Sequence, residues 1–151
     1  MKVDSLDVYY MIDGNISNKQ TKMYYEQIAK DEVNSIYFEV QMNDRQIKSK
    51  LNASMEYAIK YLQKELPNHI SIACCQSCLH GNFNPFGDVE NEIFCLKDKR
   101  LNNRADVVEW FSTSDLSLET RRRKLLDFCS DFKHISQNEK YTYNDWDSEN
   151  L

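Results

Sequence analysis

Glycine and proline are scarce in this chain, which has three glycines and two prolines in 151 residues. So few backbone-permissive residues leave little room for Gly-rich phosphate loops, and neither G-x-x-x-x-G-K-[S/T] nor G-x-G-x-x-G occurs; G-x-S-x-G and H-E-x-x-H are missing too. The familiar phosphate, dinucleotide, hydrolase and metalloprotease sites are therefore unsupported. No run of about 18 apolar residues is present, so no membrane-crossing helix is expected, and Met1 to Ser5 lacks the apolar stretch of a secretory signal. The expectation is a cytoplasmic protein without membrane association. A net charge of −5 disfavours a general role on nucleic acid or anionic lipid, because both repel an acidic protein at long range. Internal repeats and low-complexity tracts are also lacking.

What is present suits one globular domain. A chain of this size can bury about two thirds of the surface its unfolded form exposes, and 41% hydrophobic residues supply the means. We expect a single α+β domain over residues 1–151, comprising a strand-rich part (1–52), a helix and cysteine-knuckle part (53–143) and a polar tail (144–151) that frays. Leu6 to Met11 predicts a strand turning at Asp13-Gly14. Ile36 to Met42 predicts another, and Asn43-Asp44 a tight turn that returns Gln46 to Leu51 beside it. Thr21 to Lys30 satisfies both the helical and the strand period and is read as strand. Together these give antiparallel hairpins.

The clearest helix runs from Ala53 to Leu66, where Met55, Ala58, Ile59, Leu62 and Leu66 share one stripe, Asn52 is the N-cap and Pro67 stops the run. Packed on the sheet, that stripe makes the core. Ile70 to Ala73 predicts a short strand that delivers Cys75 to a turn, and Glu92 to Leu96 one that carries Cys95. A last helix over Leu118 to Phe128, capped by Ser117 and with Glu119 near its positive end, would place Leu118, Leu125 and Cys129 near one face and turn Cys129 inward.

The cysteines carry the sharpest chemistry. Gly81, Pro85 and Gly87, three of the five glycines and prolines, follow directly on a Cys75-x2-Cys78 pair, as in a tightly turning knuckle around a metal ion. Such a turn aims both sulfurs at one centre about 2.3 Å from zinc, and its backbone N–H groups can donate to the thiolates and reduce their mutual repulsion. Cys95 and Cys129 complete the four thiolates of a closed, structural zinc site, with His80 as the substitute ligand for Cys129 and Cys74 as an apolar strand residue. The later separations, sixteen and thirty-three intervening residues, are irregular for a zinc ribbon. Two other readings stand beside zinc: small buried thiols and redox C-x-x-C chemistry. The redox reading is the weakest, because a reactive thiol of that kind sits where a strand enters a helix, and Leu79 to Asp88 with its glycines and proline cannot begin one. An odd number of cysteines in a reducing compartment argues against structural disulfides.

Other candidates have ordinary explanations. Arg121-Arg122-Arg123-Lys124, with Lys97, Lys99, Arg100 and Arg104, is read as a solvated helix face in preference to a phosphate-binding surface. Asp88, Glu90 and Glu92 are read as the exposed face of a strand in preference to acid–base catalysts. His69 and His134 are read as surface histidines. Tyr141 to Trp146 is read as a strap closing the core in preference to a partner-binding epitope.

The run Ala73-Cys74-Cys75-Gln76-Ser77-Cys78-Leu79-His80-Gly81-Asn82-Phe83-Asn84-Pro85-Phe86-Gly87, followed by Phe94-Cys95 and Cys129-Ser130-Asp131-Phe132, resembles an uncharacterised bacterial family. Its pattern is a helix ending in Leu-Pro, C-x2-C-L, an aromatic before x-P-[Y/F]-G, an isolated third cysteine and a final C-x-[D/E]-F. The likeness covers about Ala53 to Phe132, strengthens the four-cysteine zinc reading, and, being to a domain of unknown function, implies no substrate. The expected function is a non-catalytic, zinc-stabilised bacterial protein that binds another protein as an immunity or regulatory module. The alternatives are a metal-dependent enzyme with an open three-cysteine site, in which water takes the fourth position near Asp88 or His80, and a thiol-redox protein.

Overall fold

The computed structural model describes the chain except residues 31, 88–90, 114–117 and 148–151. Antiparallel sheet predominates, accompanied by short helices, so the class is α+β. Two compact units divide the described residues, one from Met1 to Ile72 and the other from Ala73 to Asp147. No helix among the described residues is long and apolar enough to cross a membrane.

In the first unit β1 (Lys2–Ile12), β2 (Asn15–Ala29), β3 (Glu32–Met42) and β4 (Arg45–Lys48) follow one another as a meander, and β5 (Ile70–Ile72) adds to the far side of β1, giving the order β4-β3-β2-β1-β5. Every neighbouring pair is antiparallel. Asp13-Gly14 forms a two-residue loop between the paired Ile12 and Asn15, and both of its residues have positive φ, +51° and +85°. That is the backbone twist which matches right-handed strands. Asn43 does the same at the next predicted turn, with φ +54°. Thr21 to Ala29 is strand, as read from the sequence.

Alternation puts Val8, Tyr10, Phe38, Val40 and Met42 inside, and α1 (Met55–Glu65) packs Ala58, Ile59 and Leu62 toward β3 and β4. The helix starts later than predicted and its N-cap is Ser54, whose Oγ accepts from the Tyr57 N–H at 3.5 Å. Asn52 is committed elsewhere. At a β-bulge with Ser35 at φ +50°, the Ile36 backbone exchanges two hydrogen bonds with Asn52, at 2.7 and 2.9 Å, which holds Asn52 extended.

The second unit begins with a 3₁₀ turn (Cys75–Ser77), followed by β6 (Gly81–Asn82), β7 (Glu92–Cys95), α2 (Arg104–Thr113), α3 (Leu118–Arg121) and β8 (Arg122–Lys124). Its sheet has the order β6-β7-β8 and is antiparallel. Phe94, Leu96, Val107 and Phe111 form its core, with the Phe94 and Phe111 rings edge to face at 5.3 Å.

Two expectations need correction here. The predicted helix over Leu118 to Phe128 is helical only to Arg121; Arg122 to Lys124 instead pairs with Glu92 to Phe94. The Arg122 to Glu92 ion pair at 2.7 Å and acceptance by the Leu125 and Asp127 carbonyls from Gln76 and Cys75 fasten the segment as extended chain, so tertiary pairing overrides helix propensity. Ser117, its predicted cap, lies outside the described residues. Asn144 to Trp146, the first part of the tail expected to fray, is held in place. Asn144 Nδ2 donates to the Gln76 and Gly81 carbonyls at 2.7 and 3.0 Å, and Trp146 is buried. With Thr142 Oγ1 donating to the Leu79 carbonyl at 2.6 Å, Tyr141 to Trp146 acts as the core-closing strap.

Candidate metal centre

The site is assembled around the 3₁₀ turn. Ser77 Oγ accepts from the Cys74 N–H at 3.1 Å and the Cys75 carbonyl accepts from the Cys78 N–H at 3.3 Å, so the chain reverses between Cys74 and Cys78. Beneath the turn runs Gly81, where a Cβ would stand 2.1 Å from the Cys75 carbonyl oxygen. Only glycine fits so close an approach. The β6–β7 register then pairs Gly81 with Cys95, which carries the third cysteine to the same place.

Cys129 arrives on a loop held at both ends. Before it, the Asp127 carbonyl accepts from the Cys75 N–H at 2.7 Å; after it, the Lys133 carbonyl accepts from the Leu79 N–H at 2.6 Å and Ile135 donates to the Ser77 carbonyl at 2.9 Å. The outcome is a cleft of about 110 Å³ lined by Cys75, Cys78, Cys95 and Cys129 together with His80. All four predicted cysteines and the substitute histidine thus face one cavity. Cys129 is exposed and is placed by a loop, in place of the inward-facing helix expected for it. Cys74 is fully buried and is not part of the lining; burial pushes its thiol up to about 11. As the side chains stand, no group of three or more His, Cys, Asp or Glu among the described residues is positioned to hold a metal ion.

The electrostatics describe crowded thiols. Burial pushes the Cys75 thiol up, and Cys74, Cys78, Asp127 and Cys95 add to the effect. Burial also raises Cys78; backbone N–H groups of Lys133 and His80 donate to its sulfur and oppose the rise, whereas Cys95 and Cys129 reinforce it. Thiols in this setting keep their protons unless a cation stands among them, and a divalent ion reverses that balance. Lys97 and Arg123 line the same cleft. Nearby, Lys140 donates to the Leu96 and Lys99 carbonyls at 3.4 and 3.3 Å. Burial, then Lys140, lowers the pKa of His80, whose buried Nδ1 has no hydrogen-bond partner among the described residues. A neutral imidazole is the form that ligates metal.

The remaining candidates have structural roles. Arg121 donates to both Asp98 carboxylate oxygens and to the Cys95 carbonyl and lies over Trp110, and Arg122 pairs with Glu92 and Glu119. Lys97 pairs with Asp131 at 2.8 Å. Glu92 is thereby engaged; Asp88 and Glu90 lie outside the described residues. His134 forms a backbone bridge to Cys78. Sequence reasoning missed the parts played by Lys133, Lys140 and Asp127, each some fifty or more positions from the knuckle it serves, because backbone donors and distant cations leave no local pattern. No family model matches the chain, and no curated protein or solved structure matches it.

Proposed function

We propose that Cys75, Cys78, Cys95 and Cys129 close on one structural zinc ion and that the protein is a non-catalytic, zinc-stabilised intracellular bacterial module that binds another protein in an immunity or regulatory role. The observation that carries the zinc reading is the convergence of four cysteines from a 3₁₀ turn, a strand and a loop on one small cleft, with backbone N–H groups aimed at the Cys78 sulfur. The reading requires the thiols to draw together around the ion. The partner reading rests on the small, acidic chain and on exposed apolar side chains such as Val3, Ile16 and Ile28 in the first unit. Pull-down from the native cell should recover one protein in stoichiometric amount, and recovery of nucleic acid in its place would refute that part.

Metal-edge absorption on protein purified without added metal tests the site. Four sulfur neighbours near 2.3 Å, roughly as in other tetrathiolate sites, are expected. Three sulfurs and a nitrogen would put His80 in place of Cys129. The exposure of Cys129 favours one second reading, an open three-cysteine site with water in the fourth position, which three sulfurs and an oxygen would establish. Thiol-redox catalysis is disfavoured: burial holds Cys75 and Cys78 above the ordinary thiol range, and a 3₁₀ turn stands where an activating helix N-terminus would be needed.

A further inference from the structure

The four thiols are not equally accessible. Cys78 is buried, Cys75 and Cys95 are half-buried, and Cys129, which lines the same cleft, is exposed. Nor are they equally restrained. Cys75 and Cys78 belong to a turn whose Cys75, Gln76, Cys78 and Leu79 N–H groups are all engaged by backbone carbonyls, and the Cys78 sulfur accepts N–H donors that draw off its charge and lower its nucleophilicity. Cys129 sits between the two anchored ends of its loop, on a short turn closed by the Phe132 N–H to Cys129 carbonyl bond at 3.0 Å. The ammonium of Lys97, held by Asp131 of that turn, lines the same cleft as Cys95 and Cys129.

We propose that Cys129 is the modification site at which a hydroperoxide oxidises this cluster, joining Cys129 to Cys95 as a disulfide and expelling zinc. The proposal rests on the zinc reading above and adds a regulatory chemistry to that site. In the first step the Cys129 thiolate attacks the terminal oxygen of the hydroperoxide: an S–O bond forms, the O–O bond breaks, and the departing alkoxide, or hydroxide from hydrogen peroxide, takes a proton from solvent, leaving a sulfenic acid. In the second, the Cys95 thiolate attacks that sulfur: an S–S bond forms, the S–O bond breaks, and the departing hydroxide takes a proton from solvent to become water. The two sulfurs together lose two electrons and the peroxide gains them. Cys95 is the resolving thiol because it shares the cleft with Cys129, is less buried than Cys78, and lies with Cys129 near the Lys97 ammonium, whereas Cys75 is fixed in the anchored turn. Two thiolates remain, too few to retain the ion. The anchored turn keeps Cys75 and Cys78 in place, so reduction can restore the site.

The test treats zinc-loaded protein with less than one equivalent of hydrogen peroxide, follows released zinc with a chromogenic chelator and maps cysteines by differential alkylation. One zinc released per disulfide, with Cys95 and Cys129 as the first linked pair, is expected. In Cys129→His the imidazole keeps the metal but cannot be oxidised in this way, and zinc release should slow roughly tenfold or more. A Cys75–Cys78 disulfide appearing first overturns the proposal, and so does unchanged release from a metal-bearing Cys129→His. Should that variant fail to fold, the wild-type peptide map alone decides. Protein that carries no zinc before peroxide is added refutes the zinc reading and this inference with it; zinc that is present but lost without Cys129 modification refutes this inference only.

Discussion

A Cβ on Gly81 would stand 2.1 Å from the Cys75 carbonyl oxygen and 2.9 Å from Ile93 Cδ1. The first atom is backbone and cannot swing away, so Gly81→Ala must lift the 3₁₀ turn off β6 and carry Cys75 with it. A destabilisation of about 3 kcal/mol or more is expected, measured by urea denaturation. Gly14 has open space around its Cα and a φ of +85°, so Gly14→Ala meets backbone strain alone, about 1–2 kcal/mol. Equal losses at the two positions would show that the Gly81 contact relaxes.

The sequence was most informative where a local rule and the tertiary structure agree. Asp13-Gly14 and Asn43-Asp44 adopt the turns their residue types favour, and alternation in Ile36 to Met42 and the stripe of α1 appear in the buried face. Reading failed where distant partners decide. Leu118 to Phe128 has a helical pattern, yet β7 and the cysteine turn claim its backbone after Arg121. The helix α2 went unread because its buried positions, Val107 and Phe111, are few, although Asn103 Oδ1 accepting from the Asp106 N–H at 2.9 Å is a capping signal that was present. In the candidate site, the C-x2-C turn was legible; the loop that brings Cys129, and its exposure, depend on pairings across dozens of residues.

Gln63 of α1 uses both ends of its amide on β5: Nε2 donates to the Ile70 carbonyl at 3.1 Å and Oε1 accepts from the Ile72 N–H at 2.7 Å. The side chain takes the place of a neighbouring strand at these groups. Gln63→Leu keeps the volume but leaves both without this partner, at a cost of about 1–3 kcal/mol. It also uncovers part of a sheet edge, so light scattering should register concentration-dependent self-association. Unchanged stability would mean that water replaces the amide at no cost.

The Asp98 carboxyl is held below its ordinary value of 3.8 by the Arg121 guanidinium. A carboxylate lowered on folding contributes stability that is present above the unfolded value and lost as pH falls through the folded one. The pair is largely solvent-exposed on the Asp98 side, and after screening about 0.5 kcal/mol is expected. Wild type should therefore exceed Asp98→Asn in stability by that amount at pH 7, with the gap closing progressively below pH 3.8. Arg121→Ala should cost more, about 1–2 kcal/mol, since it also loses the Cys95 carbonyl bond and the Trp110 ring. A gap between wild type and Asp98→Asn that does not change with pH would assign their difference to something other than this ion pair.

Cys74 and Cys75 are adjacent in sequence, and the zinc reading gives them opposite roles. Cys75 lines the cleft, whereas Cys74 is fully buried outside it with its sulfur 3.7 Å from Ser77 Oγ. Cys75→Ser should release the metal and destabilise the second unit by about 3 kcal/mol or more, because a ligand is lost from a site whose binding energy is folding energy. Cys74→Ser should also be less stable, by about 1–3 kcal/mol, since a hydroxyl replaces a buried thiol. Stability alone therefore cannot separate the two, but metal content does: Cys74→Ser should keep one zinc per chain. Equal metal loss from both variants would make Cys74 a ligand, and a metal-free wild type with undiminished stability would end the zinc reading.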